Sequence, residues 1–219
     1  MKTEEKSYHH GNLKEALIKE AFIMLKESGI ESLTLRELTQ RLGTSRSAIY
    51  RHFSNKEDLI KNVILAGFEE LDKSFEPIFT NASISTINKF EQMGFMYINF
   101  ALQNPDLYRM LFGPKHMKER EEVCENEKPE LYRLKNNESN MDDLDEMESN
   151  GFHKLVVLIV AAQEEGLFIK NDPFIISITI WSHLHGLASL IIDGHTFGGF
   201  SPKELYEANF KTLLNGLLV

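Results

Sequence analysis

Apolar positions recur at three- and four-residue intervals along most of the chain, the period of helices that bury one face, and this pattern predicts an all-α fold. Ile18, Ala21, Phe22 and Leu25 mark one face of a helix over residues 11–28, with Lys14, Glu15, Lys19 and Lys26 largely outside. Leu35, Leu38 and Leu42 mark a short second helix, which Thr34 and Glu37 open in the S/T-x-x-E form of a capping box. Gly43 stands where it must stop, because glycine enters the left-handed conformation of a helix end without steric cost. Thr44 or Ser45 then caps a third helix over residues 46–52, in which Ala48 and Ile49 face inward and Arg46, Ser47, Tyr50 and Arg51 stay outside. Two short helices joined by a glycine turn describe a helix-turn-helix, whose second helix fits a DNA major groove.

Ser54 and Glu57 read as another capping box, opening a long fourth helix over residues 56–79 with Ile60, Ile64, Phe68, Leu71, Phe75 and Ile78 as its stripe. Pro77 lies near its end, and residues 80–86 form a polar connection. A fifth helix, over residues 87–103, carries Phe90, Met93, Phe95, Met96, Tyr97 and Phe100; residues 105–113 then open with proline and close with glycine. Residues 152–165 and 173–193 predict two strongly apolar helices. The second is apolar on nearly every side and must be buried within the protein or against a partner. Residues 202–218 close the chain with Leu205, Phe210, Leu213, Leu214 and Leu217 able to pack inward.

This division gives a flexible arm (1–10), a helix-turn-helix domain (11–58) and a larger helical domain (59–219) for ligand binding and dimerisation. Within the last, residues 115–149 form an acidic, mobile insert: 115–137 read as a solvated helix interrupted near Pro129, and 138–149, acidic with few large apolar groups, as mobile or solvent-facing. No glycine-containing calcium loop accompanies the acidic cluster.

Charge changes the picture once it is split. The net charge of −9 argues against a nucleic-acid partner, yet residues 1–60 hold 10 Lys+Arg against 9 Asp+Glu while residues 61–219 hold 14 against 24. The acidity belongs to the larger part, and Arg46, Arg51 and Lys56 cluster around the third helix, where local potential governs phosphate binding. Weak overall charge predicts modest, salt-sensitive non-specific DNA affinity. A single cysteine, Cys124, excludes an internal disulfide and a multi-cysteine metal site and fits a reducing compartment. The first residues lack an apolar segment of the signal-peptide kind, and no uninterrupted apolar run reaches about 20 residues, so a cytoplasmic protein without a membrane span is expected.

Residues 33–59 resemble the DNA-binding domain of TetR-family transcriptional regulators, through Gly43, Tyr50, His52, Phe53 and Lys56. Thr44 and Thr39 depart from the usual valine and alanine. The opening YHHGNLK, residues 8–14, and WSHLHG, residues 181–186, are similar to the two signatures of one branch of that family. Trp181 and His185 stand four apart on one helix face, and Gly186 permits close helix approach.

The helix-turn-helix points to Arg46 and Ser47 as readers of base edges, with Arg36 reaching the groove from the preceding helix. The resemblance implies phosphate contacts from Thr34, Tyr50, His52 and Lys56; packing inside the domain is the other reading of Tyr50. Thr44, Ser45 and Arg51 complete the expected contacts to double-stranded DNA. One reading helix covers about four base pairs, so a homodimer on a palindrome follows. The resemblance implies that the helices at 152–165 and 174–193 pair the subunits. A cavity for an apolar effector of unknown identity is expected among Phe68, Leu71, Phe75, Phe95, Met96, Phe100, Met110, Phe112, Phe152, Trp181 and His185; ordinary core is the alternative. An effector there would tilt the fourth helix and relieve repression.

No metal or cofactor site is expected. His9 and His10 lack a third ligand, and His183 and His185 diverge by about 200° on a helix. Nothing presents a nucleophile, base and orienter, so the reading is a regulator and not an enzyme. A structural adaptor whose helix-turn-helix meets protein is the remaining rival.

Overall fold

Side-chain caps decide where the helices begin. In the computed structural model, which describes residues 13–127, 150–195 and 198–218, helix α1 (Leu13–Ser28) leads through a 3-10 turn (Ile30–Ser32) to α2 (Leu35–Arg41) and α3 (Arg46–Ile49). The Thr34 hydroxyl accepts the Glu37 N–H at 3.1 Å, and Ser45, not Thr44, accepts the Ala48 N–H at 3.2 Å. Between them Gly43 sits at φ 61°, with nothing within 4 Å of where a Cβ would project. Its constraint is therefore the left-handed backbone, not crowding.

Helix α4 (Lys56–Phe79) corrects one expectation. Ser54 and Glu57 do not form the capping box; the frame lies one residue later. Asn55 accepts the Asp58 N–H at 2.7 Å, and the Asp58 carboxylate takes both the N–H of Ser54, at 2.8 Å, and its hydroxyl, at 2.9 Å. Asparagine caps as well as serine, and starting at Lys56 lets Asp58 satisfy a second orphan donor. The Ser54 N–H bond holds the Asp58 carboxyl below its ordinary value of 3.8. A carboxyl lowered in the folded state stabilises above its unfolded value, and loses that contribution as pH falls through the folded one. Urea denaturation should place Asp58→Asn about 1 kcal/mol below wild type at pH 7, with the gap closing as the pH drops below 3.8.

Leu17, Ala21, Met24 and Leu25 of α1 meet Leu38 of α2, Ile49 of α3, Phe53, and Leu59 and Val63 of α4, all essentially without solvent exposure. Arg41 fastens α1 to α2, its guanidinium reaching Glu27 at 2.7 Å and Glu20 and Glu37 at 3.3 Å. Thr39 is buried, and its hydroxyl is satisfied by the Arg36 carbonyl at 2.7 Å, so the departure from alanine leaves no unpaired group.

The remaining helices are α5 (Thr86–Gln103), α6 (Pro105–Phe112), α7 (Met117–Glu127), α8 (Gly151–Glu164), α9 (Pro173–Ile192) and α10 (Pro202–Leu217). No strand occurs among the described residues beyond one isolated bridge between Phe168 and Leu218. α4 runs from the helix-turn-helix into the larger part and packs there against α5, α6, α7 and α8. α1 also packs on α6, and Glu31 pairs with Lys115 across the junction. One hydrophobic core is thus continuous through both parts.

Residues 117–127, which composition places in the acidic insert, form α7 on the flank of α4; Val123 is buried and Lys61 pairs with Glu122. Residues 128–149 lie outside the described residues, as do the arm and most of the YHHGNLK opening.

α9 packs its inner face on α5, α8 and α10 and leaves Ile175, Ile178, Trp181 and Leu190 exposed. By length and composition its 20 residues would suffice to cross a bilayer. Ser177, Ser182, His183 and His185 interrupt that stretch, and Ile176, Ser177, Ile180, Leu187 and Ala188 form its buried face.

Candidate functional site

Two features stand at opposite ends of α4. At its N-terminal end, Arg36, Ser45, Arg46, Ser47, Tyr50, Arg51, His52 and Lys56 are all exposed, as is Thr34, while Thr44 is half-buried. Tyr50 is 55% exposed, so it stands outside the domain and not within its packing. Ile49 and Phe53, on the opposite side, are buried and anchor the segment. Arg36 and Arg46 are therefore presented to solvent, as is Lys56 at the head of α4, and no carboxylate is paired to either arginine among the described residues. Arg41 by contrast is committed to three glutamates and is not offered to a phosphate.

At the other end lies a cavity of about 740 Å³ lined by α4 to α10. Phe68, Leu71 and Phe75 of α4 form one wall, with Phe112, Phe152 and Trp181 beyond them. The other sequence-expected residues lie elsewhere. Phe95 is 42% exposed and lies tilted against the Tyr206 ring, 5.5 Å away; Met96 packs into the core; Phe100 and Met110 are buried away from the wall; and His185 stands behind it. The helix period explains this. On α5 the cavity is faced by Phe90, Met93, Gly94 and Tyr97, and Phe95, two residues past Met93, points to the other side.

Charged and polar groups meet the cavity at two places. Asp72 and Asn150 hold the start of α8, Asp72 accepting the Gly151 N–H at 2.6 Å and Asn150 the His153 N–H at 2.9 Å, with Arg120 and Glu121 of α7 nearby on the lining. On the opposite wall Trp181 Nε1–H donates to Tyr97 Oη at 3.3 Å. Tyr97 Oη lies 3.1 Å from Tyr108 Oη and 3.2 Å from His185 Nδ1, and Tyr108 Oη lies 2.7 Å from the same nitrogen. Burial pushes the Tyr97 hydroxyl well above its ordinary range and Tyr108 up to about 12, and it lowers His185, so all three are neutral at neutral pH. Tyr108 escaped the sequence reading because nothing in the octapeptide of α6 distinguishes it from packing. Lys154 was also missed: it is 2% exposed, pairs with Glu76 at 3.1 Å and lies over the Phe79 ring, tying α8 to α4. Among the described residues no three His, Cys, Asp or Glu gather as metal ligands.

Two family profiles match the chain. Residues 17–63 match bacterial regulatory proteins of the tetR family, and residues 90–215 match the tetracyclin repressor-like C-terminal domain. An uncharacterized HTH-type transcriptional regulator, YvaF of Bacillus subtilis, is 29% identical over 94 residues, 40% of this chain and 49% of that one. The nucleoid occlusion factor SlmA of Vibrio cholerae is 29% identical over 113 residues, 51% and 57% of the two chains. The chain thus spans about half the length of the curated relatives it matches. Among solved structures, a Rhodococcus protein of unknown function superposes with TM-score 0.75 at 23% identity, covering 98% of this chain and all of that one. A TetR/AcrR-family regulator from Thermobifida fusca gives 0.65 at 20% identity, covering 93% and 97%. At those identities the likeness is one of fold.

Proposed function

Because this chain belongs to the tetR family of bacterial regulatory proteins, and is therefore a DNA-binding transcriptional regulator, we propose that it is a dimeric repressor released from a palindromic operator by a small apolar effector. One observation carries this reading: α4 is a single helix that begins at Lys56, seven residues after α3 ends, and whose Phe68, Leu71 and Phe75 line the cavity. A ligand pressing on that wall moves the reading head as a lever, and it does so to the extent that it binds the two arrangements unequally.

The exposed Ile175 and Ile178 of α9, with its neighbour α8, form the subunit contact in this proposal. Gly186 supports it, since a Cβ there would meet nothing within 4 Å in the protomer and a partner helix can approach closely. Arg46 and Ser47 read base edges with Arg36 beside them, Thr44, Ser45 and Arg51 frame that helix, and Thr34, Tyr50, His52 and Lys56 hold phosphates. The tryptophan, histidine and glycine of residues 181–186 support placement in the branch that also carries the YHHG opening, and the cytoplasm, where bacterial DNA lies, is the site of action.

Fluorescence anisotropy against the protein's own upstream DNA and a shuffled duplex, at two salt concentrations, tests the proposal. The expected result is about 10³-fold tighter binding to the upstream sequence with two protomers per site. Equal, salt-sensitive binding to both would favour the adaptor reading or an operator elsewhere. In the same assay Arg46→Ala should erode discrimination by about 1–3 kcal/mol. Lys56→Ala should weaken every sequence alike and flatten the salt slope by about one. The reverse pattern would exchange the two roles.

A further inference from the structure

The polar cluster on the cavity wall narrows what the cavity accepts. Tyr97, Tyr108, Trp181 and His185 come from three helices, and only Tyr97 and Trp181 line the cavity itself. In either tautomer of a neutral His185, the 2.7 Å bond between Tyr108 and Nδ1 is the shortest in the cluster and occupies that nitrogen. Where Tyr108 donates to His185 Nδ1, the Tyr97 hydroxyl directs its own proton at Tyr108 over 3.1 Å and keeps one lone pair beyond the one that receives Trp181; where Tyr108 donates to Tyr97, that lone pair is filled and the Tyr97 proton is the one available. It can therefore turn its proton to an acceptor in the cavity, or accept from a donor there, while Tyr108 and His185 remain bonded to each other.

Around that hydroxyl the wall is aromatic. Phe112 lies 5.7 Å from Phe68 and 6.2 Å from Trp181, centroid to centroid, and Phe152 lies 6.3 Å from Trp181. Edge-to-face rings at these spacings offer faces to a flat guest. The charged residues of the lining, Asp72, Glu121 and Arg120, sum to −1, and none belongs to the Tyr97 cluster. A carboxylate at Tyr97 would give up its hydration for neutral donors alone in a net-negative cavity.

Resting on the effector reading above, the geometry points to a neutral ring compound carrying one hydroxyl or carbonyl as the cavity's ligand, its ring among Phe68, Phe112, Phe152 and Trp181 and its oxygen on Tyr97. The same contact explains how occupancy is felt beyond the cavity. Drawing Tyr97 from Tyr108 loosens the tie between α5 and α6, and α6 carries both Asp106, which lies against Gly29 at the end of α1, and Arg109, bonded to Asp193 at 2.7 Å. The ligand's oxygen thus acts on the helix that joins the DNA-binding part to α9.

The test uses the full-length protein with N-phenyl-1-naphthylamine, a neutral fluorescent probe, and displacement by three flat competitors of one shape: 2-naphthol, 2-methylnaphthalene and 2-naphthoate. 2-Naphthol should displace the probe about tenfold more tightly than 2-methylnaphthalene, as one hydrogen bond allows, and 2-naphthoate should be weaker than 2-naphthol. Tyr97→Phe removes one oxygen and should cut the tenfold preference to about twofold while leaving 2-methylnaphthalene unchanged; Tyr108→Phe should retain most of it. Equal binding of 2-naphthol and 2-methylnaphthalene, a preference that survives Tyr97→Phe, or tighter binding of 2-naphthoate would overturn the inference and leave the apolar cavity standing as an effector site. No binding of the probe or of any competitor would remove the effector reading and this inference together.

Discussion

Ile178→Glu is expected to convert the protein to a monomer and to reduce operator affinity to its non-specific level. Ile178 is 41% exposed and lies just under one helix turn from Ile175, 56% exposed, on the outward side of α9 proposed to meet its own copy. In a two-fold contact the substitution occurs twice on one axis, and each carboxylate would lose water without gaining a cation. Stranding an unpaired charge at an interface costs about 3–5 kcal/mol, which corresponds to a rise in the dimer dissociation constant of about 10³-fold. Sedimentation velocity at micromolar protein reads this directly. Specific DNA binding should fall by about 10³-fold with it, since a lone reading helix addresses only half a site. The protomer's own fold is not threatened, because the side chain already meets water. Gly186→Leu should weaken the dimer in the same assay without lowering the protomer's stability, since the space beside Gly186 is empty within the chain. A dimer unchanged by both variants would move the subunit contact to another face.

Phe53→Ala is the second large effect, and it acts through stability. Phe53 is 1% exposed and lies between α3 and α4, where it closes the small core formed with Leu17, Leu38, Ile49 and Leu59. Truncating a buried phenylalanine costs about 3–5 kcal/mol, from lost transfer energy and from the cavity left behind. Against a domain stability of about 5–15 kcal/mol this is a large share, and it should lower the melting temperature by about 10 °C. Tyr50, three residues earlier and 55% exposed, provides the contrast. Tyr50→Phe should leave the urea midpoint within about 0.5 kcal/mol of wild type. If the two substitutions cost alike, the division between buried anchor and exposed contact face would be wrong.

The helical architecture was legible because its signals are local. The α4 stripe from Ile60 to Ile78 repeats with the helix period, and Thr34, Ser45 and Ser201 cap helices within three residues of themselves, Ser201 in a reciprocal box with Glu204. The one misplaced cap, Ser54 and Glu57 instead of Asn55 and Asp58, shows the limit of that reasoning. Neighbouring serine and asparagine are both competent caps, and which is used depends on where α4 must start to bury Leu59 and Ile60. The exposure of Arg36, Arg46 and Lys56 could likewise be read from the pattern, since charged positions on an amphipathic helix face away from its apolar stripe, whereas that of Tyr50 needed the structure.

The cavity was legible in kind and only partly in membership. Phe68, Leu71, Phe75, Phe112, Phe152 and Trp181 line it, but an abundance of aromatic and methionine residues on α5 does not reveal which side of that helix turns inward. Rotation about the axis is set by α4 and α9 packing on either side, and it brings Phe90, Met93 and Tyr97 to the wall and sends Phe95 out to Tyr206. The sequence by itself determined most of the helices, the cap at Thr34, the helix-turn-helix and the family, because hydrogen bonds and apolar periods over a few residues suffice for those. Only the tertiary structure decided that Tyr97 and Tyr108 meet His185, 88 and 77 residues away, and that Lys154 meets Glu76. Such contacts depend on the relative rotation and crossing of packed helices, which interdigitating side chains across the whole core settle together and no single segment encodes.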